Sequence, residues 1–478
     1  MRREYRCVKV GLVGLGLETY WAQFAGLEAR LQGYVAEVEQ RLAGEAREVV
    51  NLGLVDSAER ALAAGHLARR EEVAVLLVYV TTYALSATVL PLIRRAGVPV
   101  VLLNLQPEAA IDYARFNAMG DRTAMTGDWL AYCSACPVPE IANVLRRLQI
   151  PFYQVTGMLR DDPVVWQQVE HWLRAAEVVH QLEHSRLGLM GHYYSGMLDI
   201  ATDLAQVSGR FGIHVEMLEV NELSAARSRV TALEREQKVA EFHRFFDVAD
   251  DCSSFELERA AGTAVALDQL VETRDLDMMA YYAMGTGVAQ NEDTMSSIIL
   301  GTSMLTGRHV PVAGEYEVKN VIAMKIMDLL GAGGSFTEYY AIDFHDDVVL
   351  MGHDGPGHIG IAQDRIRVRP LAVYHGKVGA GLSVEMSVQH GPVTLLSVVE
   401  DREHGFRLLV AEGESVPGPI LEIGNTNSRY RFRLGARGFT EAWNAEGPAH
   451  HCAIGVGHVG SQLQKVASLL RLPFHQIC

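Results

Sequence analysis

Two glutamates and several histidines in the second half of the chain have the chemistry needed to hold a divalent metal ion. Glu315 lies in AGEYEVKN and Glu338 in SFTEYYAIDF, and the histidines lie in MGHDGPGHI (351–359) and GPAHHCA (447–453). Two carboxylates and two imidazoles suit Mn²⁺ or a related ion, and they leave two positions of an octahedral site for substrate oxygens or water. Because thiolates are not needed, a structural zinc site is the less favoured alternative.

Different predicted elements position the two glutamates. Glu315 lies just before a helix with one buried face, which the helical spacing of apolar residues predicts over residues 318–330. The positive end of the helix dipole there favours a carboxylate. Glu338 lies in a predicted strand among apolar neighbours, where a carboxylate is costly unless a cation or a donor satisfies it. A buried salt bridge to Lys319 or Lys325 is the alternative to a metal. The residues expected on that strand face are Phe336, Glu338, Tyr340, Ile342 and Phe344.

The histidines differ in how well the sequence places them. His353 lies where the predicted strand VVLM meets a glycine-rich loop, a common location for functional residues. His358 follows in the same loop and is a candidate substrate contact, supporting residue or loop residue. Residues 345–347, HDD, are predicted to form a solvated turn. His450 and His451 are adjacent, so at most one of them is expected to reach a shared site from an extended segment.

Two motifs near the N-terminus suggest chemistry only weakly. GLVGLGLE (11–18) joins a predicted strand to a helix, but position 19 is Thr, so the dinucleotide-binding spacing is not met. We interpret it as a tight turn at the carboxyl edge of a parallel sheet, where many kinds of ligand bind. CSAC (133–136) could be a redox pair, but no second cysteine pair completes a zinc site. Two reduced thiols in a loop or pocket wall are the favoured interpretation.

Composition limits the class of protein. The chain has 478 residues and a formal net charge of −16, which argues against nucleic acid or anionic membrane as its main partner. Six cysteines in this length do not form a disulfide scaffold, and no signal peptide is recognised, so a cytoplasmic protein is expected. The uncharged stretch 73–93 is interpreted as a buried strand leading into a helix rather than as a membrane span.

The chain is predicted to form three domains of α/β and β-rich structure. Apolar strands alternate with helices over residues 1–175 and again over 176–330, which predicts two Rossmann-like parallel α/β domains. Residues 331–478 contain short alternating runs bounded by glycine or aspartate, which predict an antiparallel, barrel-like β domain.

Several segments resemble those of one enzyme family. AGEYEVKNVIAMKIM resembles the segment that carries the first metal-binding glutamate of L-arabinose isomerases. SFTEYYAIDF and VVLMGH resemble the segment with their second glutamate and first histidine, and GPAHHCA resembles their double-histidine segment. The chain length and domain layout are also similar to those of the arabinose and fucose isomerase superfamily, although the specific motifs are confined to residues 313–353 and 447–453.

This resemblance implies a set of ligands and a reaction. The metal ligands would be Glu315, Glu338, His353 and His451, and the ion would be Mn²⁺, Co²⁺ or another divalent ion, with no nucleotide cofactor. The reaction would be the isomerisation of an aldose monosaccharide to a ketose through an enediol, with Glu315 and Glu338 as catalytic acid and base.

The chain departs from the family where the sugar would be contacted. Cys133 and Cys136 align with a Gln and a His that contact the sugar in arabinose isomerases, and Gly16 and Glu18 fall where the family has Gln and Leu. Met197 matches a methionine that lines the family's pocket. The metal centre is thus retained while the sugar-reading wall is replaced, so we expect a natural substrate other than L-arabinose.

The resemblance also implies a homohexamer, in which residues 11–21 and 131–137 would complete a neighbouring subunit's active site. Two other functions stay open from sequence. Two α/β lobes around a cleft also occur in non-catalytic sugar-binding or sensor proteins. An epimerase or lyase could use the same enediolate chemistry, because proton abstraction beside a carbonyl leads to several products.

Overall fold

A computed structural model describes residues 6–44, 47–283, 287–372, 380–403 and 405–478 of the chain. The chain divides into two compact units, Tyr5–His180 and Gln181–Cys478. The division into three domains at residues 175 and 330 stays a prediction. Within the described ranges, no helix is both long and apolar enough to span a membrane.

The first unit contains a parallel five-stranded sheet of order β2-β1-β3-β4-β5. Its central strand β3 is buried at all six positions, as expected for a parallel strand covered on both faces. The strands are β1 (Val8–Leu15), β2 (Arg47–Val55), β3 (Val75–Val80), β4 (Val100–Gln106) and β5 (Phe152–Met158). The helices are α1 (Leu27–Leu42), α2 (Ala58–Arg70), α3 (Ser86–Ala96), α4 (Tyr113–Ala118), α5 (Arg122–Leu130), α6 (Val138–Arg147) and α7 (Pro163–Glu183). The stretch 73–93 is thus a strand followed by a helix, as predicted.

The second unit begins with another parallel sheet, of order β10-β9-β6-β7. The strands of this region are β6 (Arg186–Gly191), β7 (His214–Leu218), β8 (Asp247–Val248), β9 (Met278–Tyr282) and β10 (Val312–Ala313). The helices are α8 (Leu204–Phe211), α9 (Val220–Arg229), α10 (Ala232–Phe245), α11 (Ser254–Arg274), α12 (Ala289–Met295), α13 (Ile299–Thr306) and α14 (Val318–Leu329). Helices α9 and α10 are separate because Thr231 and Glu234 form a capping box that starts a new helix.

A closed antiparallel barrel follows. Its six strands run in the order β15-β18-β11-β12-β17-β16, and β16 pairs back with β15, while β19 joins β16 in parallel. The strands of this region are β11 (Gly333–Asp343), β12 (Val348–His353), β13 (Arg367–Leu371), β14 (Gly381–Glu385), β15 (Gly391–Asp401), β16 (Gly405–Val416), β17 (Thr426–Phe432), β18 (His451–Val456) and β19 (Phe474–Gln476). Strands β13 and β14 lie outside the barrel and form a small sheet with β8. The helices are α15 (Gly435–Ala445) and α16 (Gly460–Leu470). The predicted fold class, two parallel α/β sheets followed by an antiparallel barrel, is confirmed.

Strand β11 does not keep the predicted alternation to its end. A bulge interrupts its pairing with β12 between Tyr339 and Ala341. The strand ends at Asp343, and Phe344 beyond it is 62% exposed. The expectation that Phe344 shares a buried face with Glu338 is therefore wrong, because a bulge inserts a residue and shifts the side-chain pattern.

Helix α14 is buried on every side rather than on the single predicted face. All twelve of its residues are buried, including Lys319, Lys325 and Asp328. The helix packs against β9 and β10 of the parallel sheet and against β11, β15 and β18 of the barrel. Two apolar surfaces therefore cover it, and its polar side chains must find partners inside the protein.

Asp328, near the end of α14, gathers such partners. Its Oδ1 lies 2.8 Å from Nδ1 of His309 and 3.8 Å from Nε2 of His358, and its Oδ2 lies 3.7 Å from Nζ of Lys325. Burial raises the pKa of Asp328, but the hydrogen bond with His309 and the proximity of His358 and Lys325 outweigh it, so that the pKa is well below its usual range. The ionised carboxylate thus ties α14 to the loop that follows His353.

We predict that Asp328→Asn lowers the free energy of unfolding by about 3–5 kcal/mol at neutral pH, because it removes the counter-charge of the buried Lys325. A carboxyl group whose pKa is lowered by folding stabilises the protein above its unfolded pKa, about 3.9, and loses this effect as the pH falls further. The difference from wild type, measured by urea denaturation, should therefore shrink below about pH 4. The exposed substitution Asp364→Asn is the control. An equal effect of both substitutions would contradict the role of Asp328.

Candidate metal centre

Strand pairing in the barrel brings three of the predicted ligands to one level. Glu338 of β11 lies opposite His451 of β18 on one side and opposite Gly352 of β12 on the other. His353 follows Gly352 directly and is the last residue of β12. Directly opposed residues in an antiparallel pair have neighbouring side chains. One ligand atom from each of Glu338, His353 and His451 lies within 4.8 Å of the other two.

Glu315 reaches the same place from the turn before α14. It and Tyr316 both have left-handed backbone conformations, with φ of +58° and +63°. Such conformations cost of order 1–3 kcal/mol each outside glycine and cluster at functional sites. The turn directs Oε2 of Glu315 to within 3.5 Å of Nε2 of His451. Helix α14 and the barrel therefore contribute to one centre.

Glu315 and His451 are close enough to share a divalent ion, and His451 also belongs to the group of possible ligands formed by Glu338 and His353. Two ligand atoms that are each about 2.1 Å from one ion lie about 3–4.2 Å apart. The 3.5 Å between Glu315 Oε2 and His451 Nε2 falls inside that window. Carboxylates and imidazoles that converge in a largely buried position are also the donor set expected for a divalent ion of this class.

The two lysines that could have neutralised Glu338 are engaged elsewhere. The ammonium of Lys319 donates to the main-chain oxygens of Asp199 and Ala201, at 2.7 and 3.0 Å. The ammonium of Lys325 donates to the main-chain oxygen of His309 at 2.8 Å and faces Asp328. The salt-bridge alternative considered for Glu338 thus loses both candidate cations.

Glu317 is a further carboxyl group beside the candidate centre, and the sequence analysis missed it. It is completely buried, and its Oε2 lies 3.6 Å from Nδ1 of His451. Burial raises the pKa of Glu317 to about 7, against the opposing effect of Lys319. Carboxylates behind metal-binding histidines commonly orient the ring. The Glu-x-Glu spacing of residues 315–317 could have drawn attention to it.

His450 approaches the centre together with His451, contrary to the expectation that only one of the pair would do so. The two rings are 3.8 Å apart between centroids. Nε2 of His450 lies 3.9 Å from Oε2 of Glu315 and 4.0 Å from Oε2 of Glu338. The alternation argument fails because His450 precedes β18, which begins at His451.

Two contacts set the orientation of His353. The N–H of Gly355 donates to its Nδ1 at 2.8 Å, so the glycine-rich loop folds back onto the ring. Phe336 packs against both His353 and His451, with centroid distances of 4.3 and 4.4 Å. A side chain at position 355 would have its Cβ 2.8 Å from Nδ1 of His353, so this close approach requires glycine.

The other predicted contacts in the second unit lie at different places. His358 is buried, accepts a hydrogen bond from the N–H of Gly360 and faces Asp328. Met197 is half-buried in a turn closed by its N–H and the oxygen of Tyr194. Their roles as substrate contacts stay predictions.

The predicted N-terminal contacts lie after β1 in the first unit. Gly16 directly follows β1, and its N–H donates to the oxygen of Val55 at 2.8 Å. A Cβ at Gly16 would lie 2.8 Å from the ring of Trp21, so no side chain fits there without a shift. Glu18 begins a short 3-10 helix and is exposed.

The two cysteines of CSAC lie near the same edge of the first sheet. Cys133 is buried and Cys136 is exposed, and both are free thiols. Burial and the neighbouring Cys136 raise the pKa of Cys133 to about 12. Tyr20, two residues after Glu18, interacts electrostatically with both thiols. The four N-terminal candidates therefore lie near the carboxyl ends of β1 and β3, where the strand order reverses and ligands commonly bind.

Comparisons with known proteins find similar sugar isomerases. The family described as L-arabinose isomerase C-terminal domain matches residues 333–473, which include the barrel strands from β11 to β18. A sulfoquinovose isomerase of Alkalicoccus urumqiensis is 22% identical over 341 residues, covering 70% of this chain and 74% of that protein. An L-arabinose isomerase of a Nocardioides species is 24% identical over 349 residues, covering 69% of this chain and 67% of that protein.

Among solved structures, an ABC transporter solute-binding protein from Burkholderia multivorans matches 68% of this chain and 93% of its own, with 12% identity. Its TM-score of 0.15 is too low to support any argument about function. The matched barrel domain and the two isomerases, each aligned over more than two thirds of this chain, point to one family. The chain is thus similar to arabinose isomerases and a sulfoquinovose isomerase, which supports the prediction of a divergent, arabinose-isomerase-like isomerase.

Proposed function

We propose that this protein is a metal-dependent isomerase that interconverts an aldose and a ketose through an enediol. The observation that supports it most is that Glu315 lies beside His451, which also forms a group of possible metal ligands with Glu338 and His353. A binding protein needs no such pair of carboxylates beside metal-binding histidines, whereas an isomerase uses them as acid and base.

Those four residues would hold the ion, for which Mn²⁺ is the proposed identity and Co²⁺ an alternative. When bound, the ion supplies Lewis-acid polarisation of two adjacent sugar oxygens. The protein holds the ligand atoms in place beforehand, through strand register, the left-handed turn at Glu315 and the carboxylate of Glu317 behind His451.

The two glutamates would move the protons. One carboxylate removes the proton from C2 of the aldose and returns it to C1, and the other helps the hydroxyl proton move from O2 to O1. No atom is gained or lost, and no organic cofactor is required. Burial of the centre limits exchange of the transferred proton with water.

We further propose that the natural substrate is a sugar other than L-arabinose. The named relatives include a sulfoquinovose isomerase as well as arabinose isomerases. The positions that read the sugar in arabinose isomerases are occupied here by different residues, Gly16, Glu18, Cys133 and Cys136. We also propose a cytoplasmic homo-oligomer, a hexamer by resemblance, in which subunits share active sites.

Substitutions at the two glutamates should abolish turnover while leaving the fold intact. Glu315→Gln and Glu338→Gln keep the side-chain volume but remove a basic oxygen, so we expect the rate on the best aldose of a pentose and hexose panel to fall about 10²–10⁴-fold. Glu414→Gln, on an exposed position of β16, is the matched control. Excess chelator should abolish wild-type activity, and Mn²⁺ should restore it. Full activity in chelator would refute the metal dependence.

Isotope incorporation should reveal the proton transfer. When the reaction runs in D₂O, NMR should find deuterium at C1 of the ketose or at C2 of the recovered aldose, because the proton carried by the carboxylate can exchange with solvent. Incorporation below the solvent level would mean that the buried carboxylate returns much of the original proton. Sugar binding without conversion of any aldose would instead favour a sensor protein, and a C2 epimer as the main product would favour an epimerase.

A further inference from the structure

Asp199 holds His450 at two points. One oxygen, Oδ2, accepts the backbone N–H of His450 at 3.0 Å and lies 2.6 Å from Nδ1 of its ring. An aspartate carboxyl group is ordinarily ionised at neutral pH, and an ionised carboxylate can only accept hydrogen bonds.

This contact determines which ring nitrogen of His450 can bind a metal. Because Asp199 only accepts, the proton of the neutral ring is on Nδ1, and Nε2 has the lone pair. That Nε2 lies 3.9 Å from Oε2 of Glu315 and 4.0 Å from Oε2 of Glu338. Both distances fall within the range of about 3–4.2 Å that separates two ligands of one ion.

We propose that Asp199 and His450 form a carboxylate–histidine pair that supplies a fifth protein ligand to the ion in the substrate-free protein. The inference rests on the proposed metal-dependent function and adds two residues to it. His450 would be a ligand, and Asp199 a positioning residue that acts through His450 by fixing its tautomer and orientation.

The setting of His450 suits a ligand that can be replaced. Five protein ligands leave one position of an octahedral ion, whereas two sugar oxygens need two. His451 is buried as the first residue of β18, while the side chain of His450 lies outside the strand and is 36% exposed. Because His450 lies outside β18, its displacement would break no strand pairing, so His450 is the ligand that a sugar oxygen would replace.

The test measures Mn²⁺ binding to the substrate-free protein, following the electron paramagnetic resonance signal of free Mn²⁺. We expect Asp199→Asn and His450→Ala each to raise the dissociation constant for Mn²⁺ about 10–100-fold relative to wild type. Asp203→Asn is the matched control on the same loop. Asp203 caps α8 by accepting the N–H groups of Ala205 and Gln206, and asparagine caps equally well. Its Mn²⁺ affinity should equal that of wild type.

The outcomes separate this inference from the proposed function. If wild type binds Mn²⁺ and both variants bind it as tightly, His450 is not a ligand. A higher KM of the variants for the sugar would not change that conclusion. If wild type binds neither Mn²⁺ nor Co²⁺, the proposed metal dependence fails as well. Thermal unfolding of the metal-free proteins shows whether each variant folds. If Asp199→Asn does not fold, the Mn²⁺ affinity of His450→Ala alone decides whether His450 is a ligand.

Discussion

Helix α14 is enclosed between a parallel sheet and a barrel. The rest of the site depends on how the buried charged groups of this helix and of the turn before it are satisfied. A helix buried on every side exposes none of its polar groups to water, so each charged residue on it must be satisfied internally. At its far end, Asp328 does this with a lysine and two histidines. At its near end, Glu315 and Glu317 are buried together, and His451 lies between them. The positive end of the helix dipole favours carboxylates there, but a cation compensates them more completely.

The barrel contributes the other three proposed ligands, Glu338, His353 and His451. In its register Glu338, in the middle of β11, lies opposite His451 at the start of β18 and opposite Gly352, which precedes His353 at the end of β12. Side chains from three adjacent strands are therefore close together. The loop after β12 then folds back, and the N–H of Gly355 holds the ring of His353. Rigid elements thus hold the proposed ligand atoms, which is the arrangement that a preorganised metal centre requires.

The sequence predicted those features that depend on local patterns. Apolar runs identified the parallel strands, alternating runs identified the barrel, and residues 345–347 form the turn that their composition predicted. The four proposed ligands were identified from the resemblance to a family. Features that depend on tertiary packing were not predictable in this way. The full burial of α14 requires two covering layers, and the bulge in β11 that separates Phe344 from Glu338 depends on pairing with β12. The sequence analysis expected only one of His450 and His451 to reach the centre. That expectation assumed that both lie in a strand, but β18 begins at His451.

The most direct test of the metal centre is to locate the ion. Crystals of the protein grown with Mn²⁺ should be measured near the manganese absorption edge, where the ion gives an anomalous signal. The account predicts one strong peak per chain, about 2.0–2.3 Å from carboxylate oxygens of Glu315 and Glu338 and from ring nitrogens of His353 and His451. No peak among these residues, or a peak held by other residues, would contradict it.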